Sequence, residues 1–276
     1  MPPDLFTPSY IRLETILPIR TSVSRFTSIA RCGVSYELER VLRLPSLPAG
    51  WLVQGTSIHE AADAWEKSHR TMPVEQAQEV FKDTWRREIA KADEVEPDRE
   101  RWLVGGRKKV VNDLRDRYTG GLAQVYDYID YNLADHGLRP YEMPDGSPAA
   151  EVGFEIEFAN VVIRGYIDLL MQDTRTGELL VRDIKSGSKS PSVPFQLIVY
   201  RQAVREVLGE DVSFGDFFMT RDGKPTPPID LTTLDEDLIK EWFVRQVELA
   251  EQGLFLPNPG DACRTCGVVQ HCPLMN

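Results

Sequence analysis

The stretch from Val162 to Tyr200 constrains the fold more than any other part of the chain, because it sets charged side chains within apolar runs. Residues Val161 to Met171 are rich in β-branched and other apolar side chains, and a second apolar run covers Leu179 to Ile184. The polar segment Asp173 to Gly177 separates the two runs. Two such runs joined by a short polar turn predict a β-hairpin.

Three charged residues fall on this hairpin. Asp168 lies inside the first strand, and Asp183 and Lys185 lie at the end of the second, where a spacing of two places them on one face. An ionised carboxylate inside a strand is costly unless a metal ion or a cation compensates it. The pattern therefore predicts a Mg²⁺ or Mn²⁺ site, with Asp168, Asp183 and the backbone carbonyl of Ile184 as oxygen ligands and Lys185 beside them.

Three motifs of this stretch resemble those of RecB-like nucleases in the PD-(D/E)XK superfamily. They are Gly165-Tyr166-Ile167-Asp168 for G-x-x-D, Asp183-Ile184-Lys185-Ser186-Gly187 for D-x-K-S/T-G, and Gln196 with Tyr200 for Q-x-x-x-Y. A single D-x-K is a weak signal, so the conjunction of motifs carries the resemblance. It implies that Asp168, Asp183, Lys185, Gln196 and Tyr200 are catalytic. A structural, salt-bridged hairpin is the alternative interpretation.

Further ligand candidates lie outside the hairpin. Helical periodicity predicts a helix after Gly55-Thr56-Ser57, which places His59 near its start. The family's G-x-x-x-H element, here Gly55 to His59, supplies an imidazole to the metal, so the resemblance implies a ligand role for His59. The family often has a glutamate upstream of the G-x-x-D strand. Glu151 is the better match and Glu155 the rival, although a surface position is favoured for both.

The cysteines form an unusual set, with Cys32 near the N-terminus and Cys263, Cys266 and Cys272 in a C-x₂-C-x₅-C run. Clustered thiols in a reducing compartment indicate metal binding rather than disulfides. Zn²⁺ and an iron–sulfur cluster both accept four thiolates, and spacing alone does not separate them. One cysteine before the core and three after it is the arrangement of cluster-bearing RecB-like nucleases, including AddB-type subunits and small phage and CRISPR-associated exonucleases. The resemblance therefore implies a 4Fe-4S cluster.

The resemblance also implies an α/β fold, with a mixed central β-sheet flanked by helices as in restriction endonucleases, a helical insertion and a C-terminal iron–sulfur subdomain. The expected segments are an irregular lead-in at 1–20, one nuclease domain at 21–276, a helical insertion at 73–140, a catalytic core at 151–220, and an iron–sulfur subdomain of Cys32 plus 254–276. Helical periodicity predicts one capped helix from Thr21 through Cys32 to about Arg43. Interruptions of the insertion are predicted at Pro97 and, as a second candidate, at Gly120-Gly121.

A formal net charge of −11 argues against unselective DNA binding by an evenly basic surface. A local basic face remains compatible with it, and solvated helix sides are an equally good interpretation of the basic residues. The candidates for that face are Arg86, Arg87, Arg101, Arg107, Lys108, Lys109, Arg115 and Arg117. No apolar stretch suits a membrane span and no secretory signal is recognisable, so the protein is expected in the cytoplasm.

The resemblance implies a metal-dependent DNA exonuclease that hydrolyses phosphodiester bonds at single-stranded ends, in recombination, repair, or phage and CRISPR DNA processing. Its cofactors would be Mg²⁺ or Mn²⁺ and the 4Fe-4S cluster. Its partner would be DNA; a homo-oligomer and recombination or CRISPR partner proteins are left open. One alternative is a non-catalytic module that holds DNA ends or a partner. The other is a structure-specific endonuclease, which would nick closed circular DNA.

Overall fold

A computed structural model describes residues 19–158 and 161–275. Most of the predicted lead-in, residues 1–18, lies outside the described residues. The helices are α1 (Val23–Arg31), α2 (Gly33–Tyr36), α3 (Gly50–Lys67), α4 (Val74–Val95), α5 (Val110–Leu133), α6 (Phe195–Leu208) and α7 (Glu236–Glu251). The strands are β1 (Ile19–Thr21), β2 (Leu138–Pro140), β3 (Ala150–Phe158), β4 (Val161–Asp173), β5 (Leu179–Lys185), β6 (Phe214–Met219), β7 (Lys224–Pro225) and β8 (Ile229–Asp230). Shorter helical turns cover Glu37–Val41, Arg99–Arg101, Leu231–Thr233, Asp261–Thr265 and Val269–His271.

The chain divides into two compact units. The larger unit comprises Ser46–Phe154 and Tyr166–Leu234. The smaller unit comprises the described parts of Met1–Pro45, Glu155–Gly165 and Asp235–Asn276. The single domain over 21–276 and its subdivisions stay predictions.

A mixed sheet organises the larger unit. β4 pairs antiparallel with β2 and with β5, so the predicted hairpin is confirmed. β5 then pairs in parallel with β6, which pairs antiparallel with β7 and β8. A bidentate ion pair between the buried side chains of Arg182 and Asp216 reinforces the β5–β6 pairing, with both contacts at 2.7 Å. The predicted α/β class with a mixed sheet is therefore confirmed.

Helices cover both faces of strand β5. Its residue Ile184 packs into the apolar core that α3, α4 and α5 build around the fully buried Trp65, Phe81 and Tyr128. The opposite face, with Asp183, meets α6. Because side chains alternate along a strand, one short segment supplies both the core and the polar site described below.

The long helices of the 73–140 segment are α4 and α5. α4 ends at Val95, two residues before Pro97, as predicted. α5 instead runs unbroken through Gly120 and Gly121, where a second interruption was a candidate. Gly121 is needed for contact rather than for a break, because a Cβ there would lie 2.4 Å from the Phe81 ring.

In the smaller unit, the prediction of one helix that runs through Cys32 is wrong. Ser22 caps α1 as expected, accepting a hydrogen bond from the Arg25 amide at 3.3 Å. The helix stops at Arg31, Cys32 is extended, and α2 starts at Gly33. The Gly33 amide donates to the Leu256 carbonyl at 2.9 Å, and a Cβ on Gly33 would lie 2.6 Å from the Leu256 nitrogen. A tertiary contact thus ends the helix beside the first cysteine.

None of the described helices combines the length and the apolar character that crossing a bilayer requires.

Candidate active site

Strands β4 and β5 bring the two aspartates of the hairpin to one place. Asp168 is about 10% exposed and sits one residue before the paired Leu169–Arg182 position. Its Oδ2 accepts a hydrogen bond from the Ile184 amide at 2.8 Å, so this side chain bridges the two strands. The Ile184 amide is therefore in contact with the site, and the Ile184 carbonyl as a metal ligand stays a prediction.

A chain of hydrogen bonds from α6 crosses the site. Lys185 Nζ donates to Gln196 Oε1 at 2.9 Å, and Gln196 Nε2 donates to the Tyr200 hydroxyl at 2.8 Å. The hydroxyl in turn lies 3.0 Å from Asp168 Oδ1 and 3.4 Å from Asp183 Oδ1. Its single proton is therefore shared between two carboxylates. Because Gln196 and Tyr200 are one helical turn apart, they reach this site from the same face of α6.

Asp183 is fully buried and carries an unusual charge balance. Burial first, and then the negative charge of Asp168, raise its pKa to about 7, while Lys185 and the Tyr200 hydroxyl oppose the rise. Its Oδ2 lies 2.7 Å from Lys185 Nζ. That ammonium is off the hydrogen-bond direction, and among the described residues no group donates a well-angled hydrogen bond to this oxygen. One buried lone pair is thus left without a donor.

His59 reaches the same aspartate from α3. This helix begins at Gly50 rather than after Ser57, so His59 lies in its third turn and not near its start. Its Nδ1 is 3.6 Å from Asp168 Oδ2. Gly55, one turn earlier, permits the approach of the D-x-K-S segment, because a Cβ there would lie 3.1 Å from Ser186 Oγ.

Glu151, which lies outside the hairpin, forms a group of possible metal ligands with His59 and Asp168. Ligand atoms of His59, Glu151 and Asp168 all lie within 4.8 Å of one another. Burial and the nearby charges of Asp168 and Asp63 raise the pKa of Glu151 to about 7. Its backbone has φ of 50°, a left-handed conformation that costs a residue with a side chain about 1–3 kcal/mol. Such strain, held at the start of β3, is typical of functional sites.

An open cavity of about 710 Å³ faces this group. His59 and Glu151 line it, together with Asp63, which follows His59 by one turn, and with the aromatic residues Trp51 and Tyr166. Asp63 pairs with Lys67 across the next turn at 2.8 Å. Acidic and aromatic side chains therefore both line the cavity.

The structure thus brings the predicted residues of the hairpin, α3 and α6 together in one site. The three residues whose ligand atoms lie close together include Glu151 and not Asp183. Asp183 contacts Lys185 and Tyr200 and is not among the three residues whose ligand atoms lie within 4.8 Å. Sequence reasoning named Glu151 as the better upstream candidate but favoured a surface position for it, and it missed Asp63 altogether. The four-residue spacing from His59 to Asp63 is a signal that could have found Asp63. Glu155 is exposed and paired with Arg164.

The donor set suits a divalent cation. Two carboxylates and one imidazole are oxygen and nitrogen ligands of the kind that Mg²⁺ and Mn²⁺ accept. The raised pKa values of Glu151 and Asp183 reflect buried negative charge without enough positive charge nearby. Together with the undonated Oδ2 of Asp183, they show that the residues present fit such an ion.

The cysteines belong to the smaller unit. Cys32, Cys263, Cys266 and Cys272 all line one cavity and none forms a disulfide. Arg31 donates to the Ala262 carbonyl at 3.0 Å, and Asn258 donates to the Arg31 carbonyl at 3.0 Å, so hydrogen bonds join α1 to the cysteine-bearing segment. No three of the four described sulfur atoms lie within 4.8 Å of one another.

Comparisons with known proteins agree with this geometry. The family model described as the PD-(D/E)XK nuclease superfamily matches residues 20–273. The gene 69 protein of Mycobacterium phage D29 is 36% identical over 268 residues, which cover 94% of this chain and 97% of that one. The gene 69 protein of Mycobacterium phage L5 is 34% identical over 289 residues, covering 95% and 98%. Nucleases of this superfamily use divalent ions such as Mg²⁺ or Mn²⁺. The chain belongs to the PD-(D/E)XK nuclease superfamily.

Proposed function

We propose that this protein is a DNA exonuclease that hydrolyses phosphodiester bonds at single-stranded ends. The observation that carries the proposal is the convergence, beside one open cavity, of the His59–Glu151–Asp168 group with the hydrogen-bonded chain of Lys185, Gln196 and Tyr200. Acidic ligands that hold a cation next to a lysine suit phosphodiester hydrolysis, because the cation and the lysine stabilise the negative charge that develops on the phosphate. The proposal likens the protein to RecB-like single-domain exonucleases of phages and CRISPR systems.

His59, Glu151 and Asp168 would hold the divalent ion, with Asp183 next to them. Bound there, the ion would polarise the scissile phosphate and lower the pKa of the attacking water. Tyr200 fixes the two aspartates relative to each other, since its one hydroxyl lies within 3.4 Å of both. Burial and the two negative charges raise its pKa well above the usual range, so it stays a neutral donor.

Lys185 would stabilise the charge that develops on the phosphate or align the attacking water. Its ammonium is held by Asp183 at 2.7 Å and by Gln196 at 2.9 Å, and its side chain remains about 29% exposed. Because the Lys185 ammonium is already held by two contacts and is still accessible, little free energy is needed to reorient it when a phosphate binds.

We also propose that the four cysteines hold a 4Fe-4S cluster. They line one cavity, although they come from both ends of the chain. Zn²⁺ and a 4Fe-4S cluster both accept four thiolates. The arrangement of one cysteine before the nuclease core and three after it, which resembles that of cluster-bearing RecB-like nucleases, favours the cluster.

Single-stranded DNA as the substrate, a cytoplasmic location, and self-association or recombination and CRISPR partners stay predictions. A binding module without catalysis and an endonuclease are the competing outcomes. Exonuclease activity requires a free end, whereas an endonuclease also nicks closed circular DNA.

The decisive experiment purifies the protein anaerobically and supplies single-stranded DNA labelled at either end, with Mg²⁺, Mn²⁺ or chelator, beside closed circular DNA. We expect nucleotide release only with the divalent ion and only from strands with ends. DNA binding without release would support the non-catalytic module, and nicking of the circle would support the endonuclease.

A further inference from the structure

Tyr166 is an exposed aromatic residue immediately beside the metal-ligand group. It precedes Asp168 by two positions in β4, so both side chains stand on the same face of the strand. It lines the cavity together with His59 and Glu151, and 63% of it is exposed. Within the part of the chain that the structure describes, neither a hydrogen bond nor a ring contact engages it.

The neighbouring strand leaves room at this aromatic ring. Gly153 follows Glu151 by two positions in β3, as Tyr166 precedes Asp168 in β4. A Cβ on Gly153 would lie 3.4 Å from the Tyr166 ring, and no side chain is present there. The two strands therefore carry the ligands Glu151 and Asp168 at one position. Two residues away along each strand, the Tyr166 ring lies beside Gly153, which has no side chain.

The spacing suits one nucleotide. Two residues along a strand correspond to about 7 Å, so the ring lies one such step from the ligand pair. A base that adjoins a phosphate bound to an ion held by that pair can lie on the ring if it is not paired with another strand. Stacking on aromatic side chains is tolerant of sequence, because every base offers a flat π-face.

Other aromatic residues are less available for this role. Tyr128 and Trp102 are buried, and Tyr118 packs on Trp85 with ring centroids 5.4 Å apart. Trp51 lines the cavity, but the guanidinium of Arg117 lies 5.5 Å from its ring centroid. Tyr126 is 50% exposed but does not line this cavity.

We propose that Tyr166 is the stacking platform for the base next to the scissile phosphate and that it makes the enzyme prefer unpaired ends. The inference rests on the proposed nuclease function and assigns its substrate class to one residue. In a duplex end, the same base is stacked and paired, so it must leave its partner before it reaches the ring. A single strand offers the base without that cost.

The test compares wild type with Tyr166→Ala, Tyr166→Phe and Tyr166→Leu. Substrates are end-labelled single strands that are intact or carry one abasic nucleotide at successive positions, and the matched blunt duplex. kcat/KM is measured with Mn²⁺, and binding is measured by fluorescence anisotropy in chelator. Tyr126→Ala is the control for loss of an exposed tyrosine outside the cavity.

Wild type and Tyr166→Phe should lose activity or binding at one abasic position. Tyr166→Ala and Tyr166→Leu should be about 5- to 100-fold weaker on the intact strand, insensitive to that position, and less selective against the duplex. Tyr126→Ala should match wild type. The inference is overturned if Tyr166→Ala or Tyr166→Leu keeps the wild-type response to the abasic position. If wild type cuts no strand, the proposed nuclease function fails. In that case, the fluorescence-anisotropy measurements of binding to the intact and abasic strands decide the role of Tyr166.

Discussion

Lys185 can be separated experimentally from the folding of its strand. It is part of the predicted D-x-K motif, but its side chain is partly exposed and its contacts are Asp183 and Gln196. Lys185→Ala should lower the cleavage rate by about 100-fold or more, because it removes a preorganised cation from the developing charge. Rates on end-labelled single strands, with circular dichroism to verify folding, check the prediction.

Lys189→Ala is the matched control, since Lys189 is an exposed lysine four positions later that contacts none of the site residues described above. It should cut at the wild-type rate. Equal rates for Lys185→Ala and wild type would remove Lys185 from the mechanism.

Glu151 gives the site a pH dependence of known sign. Its folded-state pKa is raised to about 7, above its unfolded value near 4.5, so the folded state holds the proton more tightly between these values. The resulting stability is fully present below about pH 4.5 and is lost as the pH rises through 7. In chelator, we expect the melting temperature to be about 2–4 °C lower at pH 8 than at pH 5, after a discount for partial exposure.

Glu151→Gln should remove the Glu151 share of this pH dependence and leave the share of Asp183, whose pKa is also raised to about 7, whereas Glu157→Gln, at an exposed position of the same strand, should keep the whole of it. Mn²⁺ should stabilise wild type more at pH 8 than at pH 5, because metal binding requires the deprotonated carboxylate. A melting temperature that rises from pH 5 to pH 8 in chelator, equally in both variants, would contradict the assignment.

At the scale of elements, α5 contains two adjacent glycines with opposite roles. A Cβ on Gly120 would meet nothing closer than Gln54 Nε2 at 3.8 Å, whereas a Cβ on Gly121 would lie 2.4 and 2.6 Å from two carbons of the buried Phe81 ring. Gly120→Ala should stabilise the protein by about 0.5–1 kcal/mol through helix propensity. Gly121→Ala should destabilise it by about 1–3 kcal/mol through overpacking. Urea denaturation of the two variants checks both signs, and a stabilising Gly121→Ala would contradict the packing of α4 against α5.

Elements whose pattern is local could be predicted from the sequence. The β4–β5 hairpin follows from two apolar runs and a polar turn, and the face shared by Gln196 and Tyr200 follows from helical spacing. The break at Cys32 depends instead on Leu256, more than two hundred residues away, which no local pattern contains. Alternation also places Glu151 and Glu155 on one face of β3, so it could not choose between them. The positive φ of Glu151 and its neighbours, His59 on α3 and Asp168 on β4, make that choice.

At the scale of the whole molecule, a chain with a net charge of −11 must still meet a polyanion. The cavity contributes to that charge, since Glu60, Asp63 and Glu151 all line it. Repulsion between these carboxylates and a phosphate would be relieved locally by a divalent ion and Lys185. Substrate affinity should therefore depend on divalent ions more strongly than on the number of exposed lysines and arginines.

Substitution of a cysteine tests whether a cofactor joins the segment around Cys32 to the segment that contains Cys263, Cys266 and Cys272. Closing a loop between Cys32 and Cys263 restricts the unfolded chain, so the loaded cluster should stabilise the smaller unit. Cys266→Ser should lose the brown colour and most of the bound iron, and limited proteolysis should then cut first within residues 254–276. Arg264→Ala, at an exposed residue between Cys263 and Cys266, should keep colour, iron and protease resistance. If wild type purified anaerobically contains one zinc ion and no iron or sulfide, the four cysteines form a zinc site and not a cluster. Resistance to protease in Cys266→Ser equal to that of wild type would show that the bound group does not hold the chain ends together.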